Sequence, residues 1–84
     1  MNLIEIARQA KRWKEAHEQA IKNNKPQQKQ LAVQQLLVLQ NFLKDEFGKH
    51  LSDQKFTETV KKSNLYDSGL SFLLPDFIKH LKEM

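Results

Sequence analysis

The chain contains no cysteine. That excludes a disulfide framework, a thiol nucleophile and any cysteine-ligated zinc site. Only two glycines and two prolines occur in 84 residues. Tight turns are therefore few, and long helices have little to interrupt them. The two glycines stand twenty-one residues apart, so no glycine-rich phosphate loop is present. Long apolar runs are missing as well. The most apolar stretch, Leu31–Phe47, is broken by Gln34-Gln35 and Gln40-Asn41. A membrane span needs about 20 mostly apolar residues. The first residues, through Ala7, lack a basic start followed by an apolar run. The expected location is therefore cytoplasmic.

A chain of this length forms one domain with a thin core. Its stability should be roughly 4–13 kcal/mol, at about 0.05–0.15 kcal/mol per residue. The net charge of +4 is unevenly placed. Residues 1–30 hold seven basic and three acidic side chains, whereas residues 31–84 hold seven of each. The whole excess lies in the first third, a pattern compatible with an anionic partner.

Leu31–Phe47 organises the rest. Its apolar residues recur every three to four positions, which is a helical period. Ala32, Leu36, Leu39, Leu43 and Phe47 form one stripe, widened by Val33 and Leu37. Leu31, Val38 and Phe42 form a second ridge beside it, and Gln34, Asn41 and Asp45 share a polar strip. A helix apolar on most of its circumference needs neighbours on several sides.

Four helices are predicted. The first starts at Asn2, read as the N-cap of a capping box with Glu5, and runs to about Asn23. It presents Leu3, Ile6, Ala7, Ala10, Trp13, His17, Ala20 and Ile21 on one face. The second spans about Pro26–Phe47, with Pro26 in its first turn and Gly48 just past its end. The third spans about Asp53–Ser63, capped by Ser52. The fourth spans about Leu70–Lys82. Pro75 suits only a first turn, which favours Ser71 as the cap. Leu70, Leu73, Leu74, Phe77, Ile78, Leu81 and Met84 make its stripe, with Phe72 on the opposite side. The predicted fold is all-α: a small four-helix bundle, a long antiparallel hairpin with two shorter helices packed across it.

No motif carries catalysis. His17, His50 and His80 lie far apart and form no close ligand pair. Ser52, Ser63, Ser68 and Ser71 fall where caps and turns want them, outside GxSxG or SxxK. Asp45 and Glu46 are adjacent, but neighbouring helical positions point about 100° apart. The sequence therefore predicts a non-enzyme without metal, cofactor or small-molecule substrate.

Two binding readings remain. The first is a protein partner, a second copy included, held by apolar residues that one small chain does not cover. Its candidates are Leu31, Val38, Phe42, Tyr66 and Phe72. The last helix or the Leu65–Tyr66 segment is an alternative cover for that ridge. The second reading is nucleic acid, held by Arg8, Lys11, Arg12 and Lys22 on the basic face of the first helix. Glu15 and Glu18 lie on or beside that face and can pair with Lys11 and Lys22 at helical spacing. A helix-turn-helix over Asn41–Ser63 would need the stretch Gly48–Ser52 to act as its turn. That stretch is longer than the usual three or four residues.

Overall fold

The computed structural model describes residues 2–84. Four α-helices follow in order: α1 (Leu3–Lys22), α2 (Pro26–Phe47), α3 (Asp53–Lys61) and α4 (Pro75–Lys82), with a short 3-10 helix at Leu70–Leu73. The all-α bundle expected from the periodicity is the observed fold. No helix is long and apolar enough to cross a membrane among the described residues.

Local chemistry sets the boundaries. The Asn2 side chain accepts the Glu5 N–H at 2.8 Å and caps α1. The Glu5 carboxylate turns along the helix, accepting from Gln9 at 3.1 Å and lying 3.7 Å from Arg8. At the other end, the Lys25 N–H donates to Ala20 O and the Asn24 N–H to Ile21 O. Asn24 is left-handed, with φ 55°. These two bonds make a Schellman closure, which satisfies carbonyls that the last turn would leave unpaired. Pro26 then opens α2 at the position where its missing N–H costs nothing.

Gly48 ends α2 with φ 134°. The Ser52 hydroxyl caps α3 by accepting the Lys55 N–H at 3.2 Å. The third helix ends two residues earlier than predicted, because the Ser63 N–H turns back to Val60 O and its hydroxyl accepts from Leu65.

The fourth helix departs most from expectation. Instead of one helix capped by Ser71, the chain forms the 3-10 helix and then breaks at Leu74, which is extended with ψ 140°. The residue before a proline is driven out of the helical region, and Pro75 becomes the first residue of α4. The break re-aims Phe72. Its ring is half-buried, 5.4 Å from the Phe77 ring, with Lys14 Nζ 5.2 Å above it.

The core joins Ile6, Ala7 and Ala10 of α1 to Leu36, Leu39 and Leu43 of α2. Phe56 and Val60 of α3 close one end, and Leu70, Leu73, Ile78 and Leu81 close the other side. Gln40, an interruption in the sequence pattern, is buried and donates through Nε2 to Leu73 O at 2.8 Å. It satisfies a carbonyl that the 3-10 turn would otherwise bury unpaired.

Candidate functional site

α2 is buried by α1 on one side and by the 3-10 helix and α4 on another. Its inward stripe of Ala32, Leu36, Leu39 and Leu43 is shielded from water. Its second ridge is not. Leu31, Val38 and Phe42 are 45%, 46% and 42% exposed. Neither α4 nor Leu65–Tyr66 covers them. α4 packs against the Leu37, Gln40 and Lys44 side of α2, away from the ridge. At about 100° per residue, the three exposed side chains fall within about 20° of one line along the helix. Gln34, Asn41, Asp45 and Glu46 border that line and are exposed.

The other two predicted interface residues do not join this face. Tyr66 and Phe72 are half-buried against the core. The helical wheel put Phe72 on the polar side because it assumed a continuous α-helix through Leu74.

The basic residues Arg8, Lys11, Arg12 and Lys22 are all exposed on α1. Glu5 lies 3.7 Å from Arg8. Glu18 pairs with Lys14, not with Lys22 as the spacing suggested. Trp13 is half-buried against the core. Among the described residues, no group of three His, Cys, Asp or Glu is placed to hold a metal ion.

One buried group escaped sequence reasoning in part. The helical spacing sets His17 on the apolar face of the first helix, and it is 1% exposed, with Nε2 lacking any hydrogen-bond partner. A heptad-like pattern cannot reveal this, because the closure depends on α4 folding over the end of α1. Desolvation holds the imidazole below its ordinary pKa of 6.5, and Lys29 of α2 pushes the same way. The Leu81 backbone and Glu18 act in the opposite direction. Lys14 and His80 line the same cleft.

The folded chain thus resists a proton that the unfolded chain accepts below about pH 6.5. Neutral His17 contributes fully above that pH. The contribution is lost as pH falls through the lowered native pKa. Urea midpoints at pH 7.5 and 5.5 should therefore drop more in the wild type than in His17→Leu. Equal drops in the two proteins would remove His17 as the source. No family model, curated protein or solved structure matches the chain.

Proposed function

We propose that this chain is a non-catalytic interaction module that holds a protein partner against the outer ridge of α2. One observation carries the reading: three large apolar side chains stand exposed in line on a helix whose inward stripe of Ala32, Leu36, Leu39 and Leu43 is shielded from water. Single exposed apolar residues are ordinary on protein surfaces. An ordered row of them is the pattern by which one helix recognises another.

A photoreactive residue placed at Val38 in cells expressing the chain tests this. Discrete cross-linked adducts are expected from position 38, and none from Glu58, which is exposed on α3. Equal yields at both positions, or none at either, would sink the reading.

The basic face supports a second reading more weakly. Arg8 and Lys22 lie about 21 Å apart along α1 at about 1.5 Å per residue, enough to meet several phosphates. Glu15 interrupts that row. Retention of duplex DNA at low salt, abolished by Arg8→Glu with Arg12→Glu and accompanied by no adduct at position 38, would move the function to α1.

A further inference from the structure

We infer that α4 is a latch released by acid: protonation of His17 frees α4 while the hairpin of α1 and α2 stays folded. This is independent of what the α2 ridge holds.

Two polar side chains are buried, Gln40 and His17. Gln40 is paired with the Leu73 carbonyl, whereas His17 Nε2 has no partner. Among the described residues, His17 is also the only buried side chain that can gain a charge. Phe77, His80 and Leu81 of α4, with Met84 just beyond it, line one cleft with His17. Their i, i+3, i+4, i+7 spacing puts them on a single face, so that face of α4 is laid over the imidazole.

A proton on His17 finds no free acid there. The titratable groups around the ring are Lys14 and Glu18 of α1, Lys29 of α2 and His80 of α4. Three of the four are basic, and Glu18 already pairs with Lys14. A buried cation without a dedicated partner is costly. Swinging α4 aside lets water reach it, and carries the second imidazole, His80, away from the first.

Little else holds α4. It supplies Ile78 and Leu81 to the core, and every other core residue precedes it. No side chain caps its first turn. Among the described residues, no ion pair joins it to another element. Just past its end, Lys29 Nζ donates to Met84 O at 2.6 Å. An eight-residue helix is marginal once unpacked. Upstream, the Gln40 bond and the buried Leu70 and Leu73 keep the 3-10 helix in place. Leu74, extended between the two helices, is the hinge. Opening of one weakly tied segment is ordinary in folded proteins. Here it bares Val33 and Leu37 of α2, half-buried beside Leu81.

Once α4 is released, His17 takes up a proton with its ordinary pKa of 6.5. The released form therefore binds the proton more readily than the closed form, and release grows as pH falls. Between pH 7.5 and 5.0 the gain is at most about thirtyfold.

Amide exchange followed by NMR at these two pH values tests the latch. Rates are corrected for the pH dependence of exchange in unstructured peptides. In the wild type, opening of α4 should increase several-fold or more at pH 5.0, with α1 and α2 unchanged. In His17→Leu and in His17→Gln it should stay level. One variant keeps the bulk and the other the polarity, so a packing defect in either is not mistaken for loss of the proton site. A third readout needs no variant: the His17 ring resonances should titrate in step with exchange in α4. No increase in the wild type, an increase that persists in the variants, or an equal increase across α1 would overturn the proposal. So would a His17 ring that takes its proton while α4 remains protected.

Discussion

Gly69→Ala should cost the chain about 2–6 kcal/mol, the sum of about 1–3 for a strained backbone and about 1–3 for overpacking. Gly69 is buried with φ 143°, a region that side-chain-bearing residues rarely adopt. A Cβ built there would lie 2.1 Å from the carbonyl oxygen of Ala7 and 2.8 Å from its carbonyl carbon. Neither atom can give way, because both belong to the backbone of α1. Relief requires the 3-10 helix to lift away, which would expose Leu70 and Leu73, both fully buried. It would also pull the Leu73 carbonyl off Gln40. A chain holding roughly 4–13 kcal/mol in all has little reserve against this. Chemical denaturation checks it: the urea midpoint should fall by a third or more, or the native signal should vanish. Ser68→Ala, at the exposed neighbouring position, should leave the midpoint nearly unmoved. A Gly69→Ala protein as stable as that control would refute the close approach of the turn to α1.

Phe56→Ala should cost about 3–5 kcal/mol and release α3 preferentially. Phe56 is fully buried, and Val60 is the only other buried side chain in that nine-residue helix. Other ties to the bundle are slight. Lys44 Nζ lies 5.5 Å from the Phe56 ring centre and 3.6 Å from Asp53. The exposed pair contributes about 0–1 kcal/mol, so it cannot hold a helix whose anchor is gone. Helices this short are marginal without packing. Amide exchange should therefore accelerate across residues 53–61 more than across residues 3–22. Uniform acceleration along the chain would mean that α3 and the hairpin unfold together. That would refute the view of α3 as a separately tethered element.

Both predictions fall on residues that a sequence reading underrates. Phe56 was recognisable as inward-facing, but its status as almost the sole anchor follows from how little else α3 buries. Gly69 read only as part of a turn-rich segment. Nothing local reveals that this turn lands on the backbone of α1, about sixty residues earlier in the chain. The helical wheel placed Phe72 on a polar face for a related reason. It extended a 3.6-residue period through a proline-imposed break, and the 3-10 geometry then turned the ring inward. By contrast, the ridge of Leu31, Val38 and Phe42 was visible in the spacing. Only its exposure was undecided, because the spacing does not say where α4 will pack.

Local chemistry alone was enough to define the hairpin. The Asn2 cap, the Asn23–Pro26 break and the helical period of α2 act within one or two turns of chain, so the order of residues dictates them. Long-range packing settled the rest: which side of α2 meets α4, how deeply His17 is enclosed, and why Gln40 lies inside. Those outcomes depend on surfaces brought together across many residues, where burial and pairing of distant groups outweigh any local preference.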